Sequence, residues 1–154
     1  MLLQMAGRVE ESAALYQRVI ELQPQNVVAV NNLAWIMCES GEYEQALQLA
    51  QQGLKAAPNY VDLIDTRGFI YYKLGQYDKA VQDFNECIKL YSENNPAKTS
   101  SYFHLATALV KLDEKSDAVD ALNKALELNN KTGGLSPEDA NRAQSLLNEL
   151  TQGV

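Results

Sequence analysis

The chain has 154 residues, about one ordinary domain, and its 46% apolar and 21% charged residues are typical of a folded protein rather than a disordered one. Its net charge of −7 argues against a nucleic acid as partner, because phosphate binding requires clustered Lys and Arg. We find no apolar run as long as a membrane span and no basic-then-apolar signal peptide, so we expect a soluble segment whose compartment is unknown.

The chain begins with an apolar, helix-forming segment, residues 1–6, that is predicted to end at Gly7. Residues 8–22 then carry apolar side chains at helical spacing, and Gln23-Pro24 ends that helix because a residue before proline is disfavoured in a helix. A 34-residue recurrence in the rest of the chain places the first segment in the middle of a repeat. We therefore expect residues 1–26 to be a partial repeat. Either an initiator Met truncates the repeat naturally or, as we favour, the chain is a C-terminal fragment of a longer array whose targeting signal would be missing here.

Almost every special residue in residues 27–60 returns 34 positions later: Gly41 as Gly75, and Ala46 as Ala80. A fixed period of this size indicates one supersecondary unit used several times. The glycines supply the backbone freedom that a tight helix-to-helix turn needs, and the alanines let the two helices of a pair approach closely. The predicted repeats are residues 27–60 and 61–98, with helices at 27–39, 42–55, 61–73 and 76–90.

The period then changes, because Ala80 and Ala118 are 38 residues apart. The four additional residues lie in or near residues 91–98, where Asn95-Pro96 is typical of a helix start. Four residues are close to one helical turn, so they would lengthen the following helix without rotating its apolar face. A longer surface loop is the alternative, and the sequence leaves both open.

The last part of the chain consists of a degenerate repeat, residues 99–132, and a terminal helix, residues 136–151. In the degenerate repeat Asp113 stands in the position of the turn glycines. Ser136 is the predicted N-cap of the last helix, which has an apolar stripe on one side and polar residues on the other. A repeat array needs such a helix to end its stack in water.

This pattern of glycine, tyrosine, small residue and proline over 34 residues resembles the tetratricopeptide repeat (TPR) family. The resemblance implies an all-α, TPR-type right-handed α-solenoid of antiparallel helix pairs with a C-terminal capping helix. It further implies that the first helix of each pair lines a concave groove that binds peptides or helices of other proteins. The motif residues in the two regular repeats are Leu33, Ala34, Gly41, Tyr43, Ala46, Gly53 and Pro58, then Arg67, Gly68, Gly75, Tyr77, Ala80, Phe84 and Cys87.

If the first helices line a groove, helical periodicity selects the side chains that face it. Four of these residues would form an aromatic band, and aromatics are favoured at binding sites because they bury a large area with few rotatable bonds. Packing between repeats is an equal alternative for Trp35 and Phe69. The predicted partner-binding residues are Asn31, Asn32, Trp35, Asp62, Asp65, Phe69, Tyr72, Lys73, Phe103, His104 and Thr107.

Two ligand classes of TPR proteins fit this groove poorly. Chaperone-binding TPRs grip C-terminal carboxylates with Lys, Asn and Arg, and only Asn32 can be matched here, while Asp62 and Asp65 would repel an acidic tail. A TPR subgroup joined to a glycosyltransferase uses a ladder of asparagines, of which Asn32 is the one rung kept. We expect instead a partner segment with basic and apolar character.

The sequence gives poor support for catalysis, a cofactor or a metal site. The single histidine, His104, has no serine or cysteine partner at motif spacing, and Cys38 and Cys87 are expected to be buried free thiols. The predicted function is therefore a non-catalytic protein–protein interaction scaffold. The alternatives are a self-assembly module that stacks through its open N-terminal repeat, and the TPR region of a larger enzyme or of a bacterial secretion or polysaccharide-assembly protein.

Overall fold

The structure is a computed structural model that describes residues 2–152, and only the backbone in residues 2–7; every regular element in this range is an α-helix. The absence of strands in this range confirms the predicted all-α fold. The helices form two compact units, Met1–Leu74 and Gly75–Val154. Unit 1 contains α1 (Leu2–Leu22), α2 (Val27–Glu39), α3 (Tyr43–Ala56) and α4 (Val61–Lys73), and unit 2 contains α5 (Tyr77–Leu90), α6 (Pro96–Lys111), α7 (Lys115–Thr132) and α8 (Pro137–Gln152).

In unit 1, α2 packs against α1 and α3, and α4 packs against α3 and α2. Small residues of α3 allow this close packing: Ala46 is fully buried, and Gly53 lies where its helix meets both neighbours. A Cβ atom at Gly53 would lie 2.7 Å from both Val30 Cγ1 in α2 and Leu63 Cδ2 in α4, well inside van der Waals contact. The small-residue position predicted from the repeat is therefore confirmed.

The turn between α2 and α3 depends on Gly41, whose φ of +85° lies in the left-handed region. The amide of Gly41 donates to the carbonyl of Cys38 at 3.0 Å, and the amide of Glu42 donates to the carbonyl of Met37 at 2.9 Å. This pair of hydrogen bonds is a Schellman motif, which satisfies carbonyls at the end of α2 and reverses the chain into α3.

In unit 2, α6 packs against α5 and α7, and α8 packs against α7. The small-residue positions of the second helices are again fully buried, at Ala80, Ala118, Ala125 and Cys87. Cys87 is thus a buried residue, as the sequence predicted. Asp113 takes the left-handed turn position with φ +60°, as its alignment with Gly41 predicted.

One predicted boundary is wrong. The sequence predicted that a first helix would end at Gly7, whereas α1 runs without interruption from Leu2 to Leu22. A glycine inside a helix costs only about 1 kcal/mol relative to alanine, so it does not end a helix unless the chain also turns there. The apolar surface expected at residues 1–6 lies outside the side chains that the structure describes.

The four-residue insertion lengthens mainly the helix. α6 has 16 residues against 13 in α4, and the connection before it, residues 91–95, is one residue longer than residues 57–60. Asn95 caps α6 as predicted, since its Oδ1 accepts a hydrogen bond from the amide of Ala97 at 2.9 Å. The sequence left open whether the insertion lengthens the helix or the loop; three of its four residues lengthen the helix and one lengthens the loop.

The C-terminal helix α8 has the predicted cap and stripe. Ser136 Oγ accepts a hydrogen bond from the amide of Asp139 at 3.1 Å, and Pro137 is the first helical residue. Ala143 is fully buried, and three leucines on the same side of α8 are half-buried: Leu146, Leu147 and Leu150. Because the polar side of α8 is exposed, the helix closes the apolar layer of unit 2 as the sequence predicted.

Candidate functional site

The aromatic residues predicted in unit 1 lie together on α2 and α4. The ring centroids of Trp35 and Phe69 are 5.1 Å apart with an interplanar angle of 32°, and those of Phe69 and Tyr72 are 6.4 Å apart. Trp35 is 39% exposed, while Phe69 and Tyr72 are half-buried. We call the side of α2 and α4 that carries Trp35, Phe69, Tyr72 and Lys73 the α2–α4 face.

Charged side chains flank these rings. Lys73 Nζ lies 5.0 Å from the centroid of Phe69, which is within cation–π distance. Asp62, which is exposed, and Asp65, which is half-buried, lie three residues apart in α4 and therefore on neighbouring positions of one helix surface. The α2–α4 face thus combines apolar rings with two carboxylates and one ammonium group.

A hydrogen bond joins α2 to α4 near these rings. Thr66 Oγ1 donates to Asn31 Oδ1 at 2.8 Å, and Thr66 is only 5% exposed. Because the side-chain oxygen of Asn31 accepts this hydrogen bond, the Asn31 side chain is held in one position relative to α4. Sequence reasoning did not place Thr66 among the site residues, although the repeat aligns Thr66 with Asn32, the neighbour of Asn31. Asn32 itself is half-buried.

The three predicted residues of unit 2 have a different environment. Phe103 is 3% exposed and lies under the Arg142 guanidinium of α8, whose Cζ is 5.7 Å from the ring centroid. His104 is half-buried, with its ring centroid 5.4 Å from Phe84 and 6.1 Å from Phe103. Thr107 Oγ1 donates to the His104 carbonyl oxygen at 2.7 Å. Phe103, one of the four aromatic residues predicted to form a band along the groove, is therefore buried.

The reason is α8, which lies outside the 34-residue pattern. Its polar residues were expected to face solvent, and no recurrence indicated that Arg142 would contact an aromatic ring. Between α6 and α8 there is a pocket of about 420 Å³. Its lining residues are Phe103, Thr107, Glu138, Asn141, Arg142, Ser145, Leu146 and Glu149.

The thiols are poorly placed for nucleophilic chemistry. Cys38 is 1% exposed and Cys87 is fully buried. Burial raises the pKa of Cys38 to about 11, which disfavours the reactive thiolate. Among the described residues, no group of three His, Cys, Asp or Glu side chains is arranged to hold a metal ion, and no helix is long and apolar enough to cross a membrane.

The protein consists of short helix pairs, each joined by a turn that contains a residue with positive φ. This architecture is typical of a helical-repeat scaffold. Two family models, both of the tetratricopeptide repeat, match the sequence at residues 3–65 and 61–131. The chain therefore belongs to the tetratricopeptide repeat family. The fold of this family serves in general as a scaffold for protein–protein interaction, and its members are typically non-catalytic.

Solved structures agree with this fold. YrrB, a TPR protein with an unusual peptide-binding site, is 22% identical, with 92% of this chain and 66% of that chain covered and a TM-score of 0.75. The TPR2B domain of yeast Sti1, in complex with pHsp70, is 19% identical, with 83% and 98% covered and a TM-score of 0.72. MamA from Desulfovibrio magneticus RS-1 is 20% identical, with 84% and 71% covered and a TM-score of 0.70. At these identities the likeness shows the fold alone.

Among proteins with curated descriptions, none matches the sequence at a significant level.

Proposed function

We propose that this protein is a non-catalytic scaffold whose α2–α4 face holds an extended or helical segment of another protein. The observation that carries the proposal is the exposed Trp35 ring, packed against Phe69 at a centroid distance of 5.1 Å. A tryptophan that is 39% exposed, and fixed on one side by a second ring, offers a rigid apolar surface to a partner. Such residues account for much of the binding energy of protein interfaces.

The charges of this face favour a partner segment with basic as well as apolar side chains. Asp62 and Asp65 place two carboxylates one helical turn apart, which suits Lys or Arg in the bound segment. Lys73 already shows that a cation is accommodated at the ring of Phe69. A basic side chain of the partner would exchange with Lys73 at this ring, while Lys73 moves into solvent.

Polar contacts to the backbone of the partner would come from the asparagines. Because the amide oxygen of Asn31 accepts from Thr66, the amide nitrogen of Asn31 is the group left to donate to a carbonyl of the bound segment. Asn32, the next residue, is half-buried at the same level of α2 and contributes in the same way. Donors of this kind recognise main chain, so they would fix the orientation of the segment without reading its side chains.

In unit 2, a partner would meet Phe103 and Thr107 only by inserting a side chain into the pocket between α6 and α8. His104 packs against two aromatic rings and would act through the position of Phe103. These three residues remain in the proposal as secondary contacts. YrrB and the TPR2B domain are both described with a peptide site or a bound partner, which supports the general mode.

The proposal is tested by measuring the affinity of the full chain for a library of basic–apolar peptides. We expect Trp35→Ala and Asp65→Lys to weaken the best binder about tenfold each, and added salt to weaken it further. The matched controls are Leu90→Ala, since Leu90 is a comparably exposed apolar residue at 41%, and Glu86→Lys on the exposed side of α5. Equal affinity of wild type, W35A and D65K would remove the α2–α4 face as the binding site.

Self-association is a second candidate function, favoured by the exposed apolar residues of α1. Leu15 and Leu22 are 68% and 69% exposed and lie seven residues apart, on one side of the helix. A second copy of the chain is the proposed occupant of this side. Light scattering at several concentrations should show mass increasing with concentration, and L15K/L22K should abolish the increase. A constant monomer mass for the wild type would end this candidate.

A further inference from the structure

A second pocket, of about 480 Å³, lies within unit 2 between α5, α6 and α7. Its floor is apolar, because Leu105 and Leu109 of α6 and Ala121 of α7 are buried there. Val81 and Tyr102 are half-buried at its sides, and Asn85 is exposed at its edge. An apolar depression of this size has room for one or two side chains of another molecule.

Three carboxylates line the α7 side of this pocket: Glu114, Asp117 and Asp120. All three are exposed, and none forms an ion pair with another side chain of the described residues 8–152. The neighbouring Lys115 is directed to Asp113, with Nζ 3.8 Å from Oδ1. The residues that line the pocket include no Lys or Arg, so its rim carries one sign of charge.

Helix stability alone does not explain this row of charges. Glu114 and Asp117 lie at the start of α7, where the helix dipole favours acidic residues, but Asp120 lies beyond the first turn. Moreover, the repeat aligns Asp117 and Asp120 with Gln45 and Gln48 in α3, and with Lys79 and Gln82 in α5. The second helices of these two repeats, α3 and α5, therefore fold without a carboxylate at either position.

From the apolar floor and the unpaired acidic rim, we propose that the surface between α5 and α7 is a separate docking site for a protein segment that carries an apolar side chain flanked by Lys or Arg. The carboxylates recur every three residues along α7, so they are spread along the rim and do not converge on one point. In agreement, they do not form one of the groups that could hold a metal ion within the described residues. The charges complement several basic groups placed along a segment, while the apolar side chain enters the pocket.

This site and the α2–α4 face have no residue in common, so the two proposals can be tested independently. The probe is an acetylated and amidated helical peptide with one leucine and with lysines three residues before and four residues after it. Its control peptides replace either the lysines by glutamate or the leucine by serine. Binding is followed by NMR on the ¹⁵N-labelled full chain, because the amides that shift identify the surface that is occupied.

We expect the amides of α5, α6 and α7 around the pocket to shift with the lysine–leucine peptide and with neither control. The double variant D117N/D120N should weaken binding about tenfold, and Asn85→Trp, which fills the edge of the pocket without changing charge, should weaken it by a similar factor. The matched charge control is D78N/E86Q, since Asp78 and Glu86 are exposed on α5 and do not line the pocket. That variant should bind as the wild type does.

Four outcomes would overturn the proposal. Equal affinity of wild type, D117N/D120N and N85W is one, and shifts confined to α2 and α4 are another. Equal binding of the leucine and serine peptides, or displacement of the peptide by millimolar Mg²⁺ alone, would reduce the surface to a general attraction for cations. The variant W35A separates the two sites, because it should retain the shifts at α5–α7 even where binding at the α2–α4 face is lost.

Discussion

Trp35 in unit 1 and Phe103 in unit 2 are both aromatic residues on the first helix of a hairpin, yet they are 39% and 3% exposed. Trp35 packs beside another ring on α4 and keeps one side in solvent. Phe103 lies beneath Arg142 of α8. The same pattern of apolar positions therefore leaves an aromatic ring exposed in one repeat and buries it in another, according to the helix that packs against it.

The largest expected effect is on stability and tests this difference directly. Phe103→Ala should lower the free energy of unfolding of unit 2 by about 3 kcal/mol, because it removes a buried ring and leaves a cavity. Trp35→Ala should cost unit 1 only about 1 kcal/mol, since its ring is partly solvated already. Urea denaturation followed by circular dichroism, with amide exchange to assign each unit, measures both. Equal losses would mean that Trp35 is as structural as Phe103.

A second contrast concerns the small-residue position of the second helix, which is Gly53 in unit 1 and Cys87 in unit 2. Gly53→Cys should destabilise unit 1 by about 2 kcal/mol, because even a Cβ there lies 2.7 Å from Val30 and Leu63. Cys87→Ala removes one sulfur from a site that already accommodates it, so it should cost unit 2 only about 1 kcal/mol. Thermal unfolding of the two variants compares them, and a G53C protein as stable as wild type would refute the close approach of α3.

A smaller effect is expected at the turns, where Gly41 in unit 1 corresponds to Asp113 in unit 2. Both have positive φ, which suits glycine better than aspartate. Asp113→Gly should therefore stabilise unit 2 by roughly 0.5–1 kcal/mol, and Gly41→Asp should destabilise unit 1 by about as much. Chemical denaturation of the two single variants gives both values. Destabilisation by D113G would show that the aspartate side chain stabilises its turn.

The smallest expected effect is a dependence of stability on pH, which arises at Glu93 in the insertion of unit 2. A hydrogen bond from Lys98, whose side chain is 7% exposed, lowers the pKa of the Glu93 carboxyl below its ordinary value of 4.5. Because the folded pKa is the lower one, this stabilisation is present above pH 4.5 and is lost as the pH falls through the folded value. The melting temperature of E93Q should therefore decrease less than that of wild type between pH 7 and pH 3.

Glu127 provides the control for that measurement. Hydrogen bonds from Lys131 and Lys124 likewise lower the pKa of its carboxyl, but neither lysine is buried as Lys98 is. E127Q should thus also reduce the acid dependence. We expect E93Q alone to lower stability at neutral pH as well, because it removes the carboxylate partner of the buried Lys98 and leaves its ammonium only the carbonyl of Tyr91. An identical pH profile for wild type and E93Q would contradict the assignment.

Residues that recur made most of the fold predictable. Gly41, Ala46 and their counterparts occupy the same structural position in each repeat, so their spacing gave the bounds of α2 and α4 correctly. The prediction of a helix end at Gly7 was wrong, because a glycine at the right spacing can also lie inside a helix, as Gly7 does in α1. The division of the insertion between helix and loop depends on packing at the start of α6, which spacing alone does not encode.

The site was predictable only where it lies inside the repeat pattern. Trp35 and Phe69 were found because helical periodicity places them on one side of adjacent first helices. Thr66 and Arg142 are not among the predicted partner-binding residues, since their roles depend on contacts with particular partners, Asn31 and Phe103. The acidic rim of α7 was not predicted, because the pocket beside it depends on how the three helices α5, α6 and α7 pack together.

The most direct test of the α2–α4 face uses the intrinsic fluorescence of Trp35, the single tryptophan of the chain. Acrylamide quenching is measured on the full chain, alone and saturated with the tightest basic–apolar peptide of a tryptophan-free library. The proposed binding mode predicts a blue-shifted emission and a quenching constant reduced by at least about half, because the partner covers the exposed part of the ring. Unchanged emission and quenching at full saturation would show that the partner binds elsewhere and would contradict it.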